Sequence, residues 1–183
     1  MRLKPQQTGY VATKVGIDIA NAPFINMPKG RDAVVEAVKH IIDESFKKEA
    51  ILDEKVKEIL DENYDEIEFQ HADERQLFFM IKKKMASEYG VIMNYDDRYN
   101  DLAHTILDEL YENYLIEYTV NENKIKNVIF KAFKAFADAY DEIDDIVYDK
   151  IKGMKKEVIP GTQDYELLYE RFYQEELVRR GML

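Results

Sequence analysis

The sequence contains no cysteine and none of the short motifs that mark common catalytic sites. Without cysteine there is no disulfide, no thiolate metal ligand and no cysteine nucleophile, and a reducing compartment is favoured. The two serines, Ser45 and Ser87, lie in segments with helical patterning and outside any Gly-x-Ser-x-Gly elbow. The seven glycines are scattered and form no phosphate-binding loop. The residue pattern therefore predicts no catalytic residues and no cofactor.

A long apolar run is also missing. The opening segment MRLKPQQTGY has two basic residues but no apolar region behind it, and Lys14 and Asp18 interrupt the next apolar stretch. No export signal or membrane span is visible in the sequence. We therefore expect a cytoplasmic protein that does not enter a membrane.

Basic residues are outnumbered, with 26 lysines and arginines against 37 aspartates and glutamates and a formal net charge of -11. This balance disfavours binding to a nucleic-acid phosphate backbone. Residues 1–92 hold 14 basic and 17 acidic residues, net -3, whereas residues 93–183 hold 12 and 20, net -8. Ten of the thirteen tyrosines also lie in the second half, and tyrosine is common where protein surfaces meet.

Apolar residues recur at steps of three and four along most of the chain, which predicts amphipathic helices. In residues 98–136, a helix with one apolar stripe is followed by a short connector and by Asn121, at the expected N-cap of a longer helix. A second long helix is predicted to begin near Gly30. Its apolar seam contains Ser45 and Glu49, so we expect a bend or a change of packing partner near residues 46–50.

The pattern of the first half recurs in the second half after a shift of 91 positions. The helix-ending Gly90 then coincides with Gly181, and apolar positions of three helices coincide without a gap. Examples are Val11, Val15 and Ile19 with Leu102, Ile106 and Leu110, and Val34, Val38, Leu52 and Val56 with Ile125, Ile129, Ile143 and Val147. We therefore predict an internal duplication, with units at residues 1–92 and 93–183.

The fold expected from these patterns is all-α: an elongated bundle of six to seven helices in two pseudo-repeated units with long central helices. A helix of about 30 residues spans roughly 45 Å. Each unit would supply the apolar face that the other lacks, so a monomer is expected.

Three segments also resemble a known family. They are IEFQHADERQLFFMIKKKMASEYGVIMNYDD, RYNDLAHTILDELYENYLIEYTVNENKIKNVIFKAF and VIPGTQDYELLYERFYQEELVRRGM. The chain resembles, over essentially its full length, the bacterial proteins catalogued as domain of unknown function 507. The resemblance implies a bacterial, helical, cytoplasmic protein and brings no activity, cofactor or catalytic residue.

A metal site is one alternative reading of the acidic residues. Carboxylate-bridged di-iron bundles use Glu-x-x-His pairs on two helices and one further glutamate from each of two others. Candidate pairs with this spacing are Glu68 with His71 and Asp101 with His104, and the additional carboxylates would be Glu44 and Glu109. Asp101 departs from the pattern, and His104, beside Leu102 and Ala103, also suits a hydrogen-bonded position at the core edge.

Two acidic runs lie toward the C-terminal ends of the long helices, where the helix dipole disfavours acids. They comprise Asp61, Glu62, Asp65, Glu66 and Glu68 in the first half, and Asp138, Asp141, Glu142, Asp144, Asp145 and Asp149 in the second. If the long helices run side by side, the runs meet in a single acidic tip. Such a tip serves either solubility or the docking of a basic protein partner.

Basic residues form two small groups. Lys82, Lys83 and Lys84 follow two phenylalanines and a methionine, which suggests either core packing or an aromatic-basic patch for protein or RNA contact. Arg179 and Arg180 end the last helix, where they complement its dipole. The leading hypothesis is a non-enzymatic interaction or adaptor module with an acidic tip. The alternatives are a carboxylate-histidine metal-binding bundle enzyme and a nucleic-acid-associated protein.

Overall fold

The computed structural model describes residues 3–69, 73–154 and 158–183, apart from the side chains of Glu66 and Asp141. A 3-10 helix at Pro5–Gln7 comes first. The α-helices of these residues are α1 (Thr8–Ala20), α2 (Gly30–Glu62), α3 (Tyr64–Phe69), α4 (Glu74–Met85), α5 (Tyr95–Glu112), α6 (Glu122–Lys152) and α7 (Gln163–Arg179). Two-residue strands β1 (Ile25–Asn26) and β2 (Glu117–Tyr118) pair antiparallel. The predicted all-α bundle of six to seven helices is confirmed.

Four helices form the centre of the molecule. Helices α1 and α5 each pack against both long helices, α2 and α6. The strand pair joins the connector after α1 to the connector after α5, so the C-terminal ends of these two helices meet the N-terminal ends of α2 and α6. One hydrophobic core contains buried residues of α1, α2, α5, α6 and α7. The two halves of the sequence therefore share their main core.

The chain beyond this bundle continues as two helical pairs. The C-terminal half of α2 packs against α4, and α6 packs against α7. Leu52, Val56 and Leu60 of α2 belong to a second, smaller core that Leu77 and Ile81 of α4 help to cover. Helix α2 is continuous through residues 46–50, and its packing partners change there from α1 to α4.

The ends of the helices follow local sequence rules. The side chain of Asn121 caps α6 by accepting a hydrogen bond from the backbone N–H of Asn123, at 2.8 Å. Gly90 and Gly181 have positive φ values of 64° and 65° after α4 and α7. Glycine adopts this left-handed conformation without the steric cost that a Cβ would bring. The predicted N-cap and both helix-ending glycines thus occupy the positions expected of them.

Corresponding elements recur at an interval of 91 residues. Helix α2 shifted by this interval would cover residues 121–153, and α6 covers Glu122–Lys152. The backbone N–H of Val91 bonds the carbonyl of Ala86 at 2.8 Å, and that of Met182 bonds the carbonyl of Leu177 at 2.9 Å. Buried positions recur as well: Val11, Val15, Ile19, Val34, Val38, Leu52 and Val56 correspond to Leu102, Ile106, Leu110, Ile125, Ile129, Ile143 and Val147.

The single acidic tip was predicted on the condition that the two long helices run side by side. The structure does not show that arrangement. Both α2 and α6 pack against α1 and α5, and they do not pack along each other. They occupy diagonal positions because the short helices α1 and α5 bury their apolar stripes between them. The acidic run of 61–68 therefore lies with the α2–α4 pair and the run of 138–149 with the α6–α7 pair. The side-by-side arrangement from which the single tip was predicted is therefore wrong.

A close approach between α1 and α2 gives a stability prediction. A Cβ on Gly16 would lie 2.5 Å from Cγ2 of Val35, a β-branched side chain with little freedom to move away, whereas a Cβ on Gly9 would meet nothing within 4 Å. We expect Gly16→Ala to lower the free energy of unfolding by about 1 to 2 kcal/mol and Gly9→Ala to leave it equal or raise it by about 0.5 kcal/mol. Urea denaturation measures both, and equal effects would contradict this packing.

Candidate protein interaction site

The predicted acidic residues of α6 lie on its solvent-facing side and at the edge of its contact with α7. Asp138, Asp145 and Asp149 are exposed, and Asp144 is half-buried. Glu142 is exposed and accepts a hydrogen bond from Arg180 at 2.9 Å. The side chain of Asp141 lies outside the described part of the structure. Asp144 contacts a tyrosine of α7 by accepting a hydrogen bond from Tyr169.

The acidic residues near the end of α2 are also solvent-facing. Asp61, Glu62, Asp65 and Glu68 are exposed, and the side chain of Glu66 lies outside the described residues. Asp61 borders a shallow cavity between α2 and α4 that also contains Asp73 and Arg75. One aromatic side chain, Phe78, is among the residues that line this cavity.

The candidate metal ligands are not assembled by the described residues. His71 lies outside them, and His104 is exposed beside Asp108, with Nε2 of the histidine 3.7 Å from a carboxylate oxygen. The core-edge position expected for His104 is therefore wrong, because this face of α5 points to solvent. Glu44 pairs with Lys47, and Glu109 contacts Asn113. In residues 3–69, 73–154 and 158–183 no group of three or more histidines and acids is placed to hold a metal ion.

The lysines of α4 are divided between interior and surface. Lys83 and Lys84 are exposed, but the ammonium of Lys82 is buried, 2.9 Å from Glu49 and 2.7 Å from Asp53. Lys82 is therefore unavailable to an exposed basic patch. At the end of α7, Arg179 pairs with Glu176 and Arg180 with Glu142.

A tyrosine-lined cleft lies where α1, α6 and α7 meet. Tyr165, Tyr169 and Tyr173 recur every four residues on one face of α7, and their rings form a ladder with centroid separations of 6.3 and 5.8 Å. Tyr10 of α1 and Tyr140 of α6 flank Tyr173, at 5.8 and 6.2 Å. Five rings from three helices thus line a cavity of about 600 Å³. We call this feature the tyrosine cleft.

Carboxylates stand among the rings of the tyrosine cleft. Asp144 accepts a hydrogen bond from the hydroxyl of Tyr169, and Glu170 accepts one from the hydroxyl of Tyr10. Glu166, also in the lining, is exposed. The one lysine of the lining, Lys4, lies with its ammonium 5.4 Å from the ring centroid of Tyr140. Three carboxylates against one ammonium give the cleft a formal charge of -2.

Burial and these contacts shift the ionisation of the phenols. Burial raises the pKa of Tyr169, and the carboxylate of Asp144 raises it further because the protonated hydroxyl donates a hydrogen bond to that group. Burial raises the pKa of Tyr173 as well, although a hydrogen bond from Gln7 opposes the shift. A hydrogen bond with Tyr140 and the charge of Asp144 raise the pKa of Lys4, against a smaller effect of burial. The phenols therefore stay protonated and the lysine stays charged at neutral pH.

Alkaline unfolding tests these phenol environments. Because the pKa values of Tyr169 and Tyr173 lie above the ordinary 10.0, the unfolded chain loses its protons first as pH rises. We expect the free energy of unfolding to fall above about pH 10, where the unfolded phenols ionise. In urea titrations from pH 8 to 11, Tyr169→Phe should show a shallower fall than wild type, and Tyr64→Phe, at an exposed site, should match wild type. An equal slope in Tyr169→Phe would contradict the assignment.

The tyrosine cleft corresponds to an ionic cluster in the first half. At the interval of 91 residues, Gln7 corresponds to Arg98, Tyr140 to Glu49 and Tyr173 to Lys82. In the first half, Nη1 of Arg98 lies 2.6 Å from Glu49, which also binds Lys82. In the second half, Gln7 donates a hydrogen bond to the hydroxyl of Tyr173 at 3.1 Å, and Tyr173 packs on Tyr140. One structural position is thus charged in one half and aromatic in the other.

Lys82 and Arg98 compensate the burial of the Glu49 carboxylate. Burial raises the pKa of the Glu49 carboxyl, but the hydrogen bond from Lys82 and the charge of Arg98 outweigh that effect and lower the pKa to about 2. Ser45 completes the cluster, since its hydroxyl and carbonyl oxygens both accept from Nη2 of Arg98 at 2.9 Å. The two polar residues in the apolar seam of α2 are therefore the residues that bind α5 and α4.

Sequence reasoning did not identify the tyrosine cleft, although it noted the tyrosine-rich second half. The ladder at 165, 169 and 173 is visible as an i, i+4, i+8 series. Its partners Tyr10 and Tyr140 lie far away in sequence, and only the packing of α1 and α6 against α7 brings them together.

The fold and this surface define an all-α protein with a negatively charged aromatic cleft. Within the described residues, no helix has a stretch long and apolar enough to cross a membrane. A family model described as "Protein of unknown function (DUF507)" matches residues 1–182. The chain therefore belongs to that family, and the resemblance found in the sequence is confirmed. Comparison with curated proteins gives no match.

Proposed function

We propose that this protein is a non-enzymatic interaction module that binds a basic segment of a partner protein on α6 and at the tyrosine cleft. The observation that carries the proposal is the juxtaposition of five tyrosines and three carboxylates where α1, α6 and α7 meet. Tyrosine and complementary charge are both typical of surfaces that recognise proteins. The proposal includes the expected cytoplasmic location, the monomeric state and the duplicated units at residues 1–92 and 93–183.

The exposed carboxylates beside the cleft extend its negative charge along α6. Asp145 and Asp149 are exposed and one helical turn apart. Acidic side chains in this arrangement attract a basic segment and orient it before close contact forms. The cavity that borders the second acidic run, at 61–68, is lined by one aromatic side chain, Phe78, whereas five tyrosines line the tyrosine cleft. The proposal therefore assigns binding to α6 and solubility to the other run.

The test compares two charge reversals of equal size. Asp145→Lys/Asp149→Lys changes the net charge by +4 beside the cleft, and Asp61→Lys/Asp65→Lys makes the same change on the other helical pair. A protein recovered from native bacterial lysate by crosslinking to wild type should be purified and its affinity for each variant measured. We expect the α6 variant to bind at least tenfold more weakly and the control to bind within about twofold of wild type.

Two results would contradict the proposal. Equal losses in both variants would indicate attraction to net charge rather than a specific surface. Unchanged binding in the α6 variant would remove that surface from the interaction. Circular dichroism of each variant checks that the helices have formed.

A further inference from the structure

We propose that the tyrosine cleft receives a lysine side chain of the basic partner, with its ammonium at Asp144 and its aliphatic stem against the tyrosine rings. This inference rests on the proposed function and assigns the contact chemistry at one position. It follows from comparing the two halves of the molecule, which treat the same structural position in different ways.

The first half supplies its own lysine. The ammonium of Lys82 lies 2.9 Å from Glu49 and 2.7 Å from Asp53, and its side chain is only 8% exposed. Burial lowers the pKa of Lys82, but hydrogen bonds with Asp53 and Glu49 outweigh burial and raise it. This position therefore holds a charged lysine between two carboxylates.

The second half keeps one of those carboxylates and lacks the lysine. Asp144 corresponds to Asp53 at the interval of 91, whereas tyrosines stand at 140 and 173, the positions that correspond to Glu49 and Lys82. A cleft of about 600 Å³ opens beside Asp144. The second half therefore has no lysine at the position that Lys82 occupies in the first half. The carboxylate of Asp144 remains beside that position and is able to bind a cation of a partner.

The walls of the cleft suit the rest of a lysine side chain. Tyrosine rings offer an apolar surface to the methylene stem and a negative ring face to the ammonium. The ammonium of Lys4, 5.4 Å from the ring centroid of Tyr140, shows that a ring of this cleft accepts a cation on its face. Lys4 is exposed and leaves a formal charge of -2 in the cleft uncompensated. The geometry and the charge both favour a second ammonium.

The experiment measures the binding of pentalysine, with both termini blocked, by isothermal titration calorimetry. Asp144→Asn keeps the shape of the side chain and its capacity to accept from Tyr169, but removes the charge. Asp65→Asn makes the same change at an exposed residue of the other acidic run, outside the proposed binding surface. We expect pentalysine to bind Asp144→Asn at least fivefold more weakly than wild type, and Asp65→Asn within twofold of wild type.

Two further arms test the identity of the bound group. Pentalysine acetylated on every side-chain nitrogen should show no binding, since it lacks ammonium groups. Lys4→Ala should bind pentalysine at least twofold more tightly, because a competing ammonium has been removed. Tighter binding after loss of Lys4 is a result that damage to the fold would not produce.

Several results would overturn the inference. They are equal weakening in Asp144→Asn and Asp65→Asn, binding of the acetylated peptide, weaker or unchanged binding to Lys4→Ala, or no binding of pentalysine to wild type. Any one of these results could occur while the charge reversal on α6 still weakens partner binding at least tenfold. The partner would then use the surface of α6 without placing a lysine in the cleft. The proposed function would then stand and this inference would fall.

Discussion

Replacing Arg98 with alanine is expected to lower the free energy of unfolding by about 3 to 5 kcal/mol, as breaking a buried ion pair commonly does. The guanidinium of Arg98 lies 2.6 Å from Glu49, and the two side chains are 5% and 14% exposed. Without Arg98, a largely buried carboxylate loses a charged partner at 2.6 Å, and two oxygens of Ser45 lose their donor. Urea denaturation at pH 7 measures the loss.

The matched control for this change is Arg171→Ala. Arg171 pairs with Glu175 on the same helix, but both side chains are about half exposed or more. Exposed pairs of this kind contribute about 0.5 kcal/mol or less. If Arg98→Ala costs no more than Arg171→Ala, the cluster does not hold α5 to α2.

The same cluster predicts how stability depends on acid. The pKa of Glu49 is about 2 in the folded chain, against an ordinary value of 4.5. Stabilisation from this group is therefore present above about pH 4.5 and is lost as pH falls toward 2. We expect Arg98→Ala to lose less stability than wild type over that interval, because its Glu49 is less strongly held in the charged form.

Replacing Phe133 with alanine is the second change with a large expected effect. Phe133 is fully buried in α6, and its ring stacks on Tyr99 of α5 with centroids 5.7 Å apart and planes 16° from parallel. Truncation of a buried phenylalanine to alanine costs about 3 to 5 kcal/mol, because apolar contacts are lost and a cavity remains. This residue lies in the core that both halves share.

Phe69→Ala is the control for that truncation. Phe69 ends α3 and is 85% exposed, so its removal takes little apolar surface out of the folded state. We expect a change of less than about 0.5 kcal/mol, as for most surface substitutions. A loss at Phe133 as small as the loss at Phe69 would mean that α5 and α6 do not pack as described.

The helical stripes could be read from the sequence because each depends on residues only three or four positions apart. Val11, Val15 and Ile19 are all fully buried, as their spacing predicts. In α2, steps of three from Val38 and from Val56 predict Ile41 and Ile59 in the seam, but Ile42 and Leu60 are the buried residues. Ile42 lies four residues after Val38, and Leu60 lies four residues after Val56. The sequence pattern permits a step of three or of four residues at each place, so it does not show which residue is buried.

The arrangement of the helices was less predictable. The shift of 91 positions indicates that the halves resemble each other but not which helices touch. An arrangement with α2 beside α6 and one with both packed on α1 and α5 satisfy the same stripes. Ser45 and Glu49 are the strongest sign in the sequence that another helix contacts α2 at this place. Two polar residues in an apolar seam need a polar partner from another element. That partner, Arg98, is 49 residues from Glu49 in the chain.

The candidate site was predictable in composition but not in geometry. The sequence placed most acids and tyrosines in the second half, and Asp144 was among the predicted interaction residues. Tyr10 and Lys4 belong to the other half and reach the tyrosine cleft only because α1 packs on α6. Contacts between residues so far apart in sequence depend on the tertiary arrangement, which local periodicity does not determine.

The ionic cluster and the tyrosine cleft occupy corresponding positions in the two halves, and they hold helices together in different ways. The cluster of Glu49, Lys82 and Arg98 satisfies its charges internally and is almost fully enclosed. The tyrosine cleft joins α1, α6 and α7 by ring contacts and leaves a cavity with excess negative charge. A buried ionic cluster suits a structural role. An open cleft leaves its tyrosine rings and carboxylates available to a partner.

The most direct measurement is an NMR titration of the protein, labelled with ¹³C in its tyrosine rings, with blocked pentalysine. Binding in the tyrosine cleft predicts saturable shifts of the ring signals of Tyr140, Tyr169 and Tyr173. The signals of Tyr64, Tyr95 and Tyr114, which are exposed elsewhere on the surface, should stay where they are. Shifts confined to those exposed rings, equal shifts of all the rings, or no shifts at all would contradict a lysine-binding cleft at the junction of α1, α6 and α7.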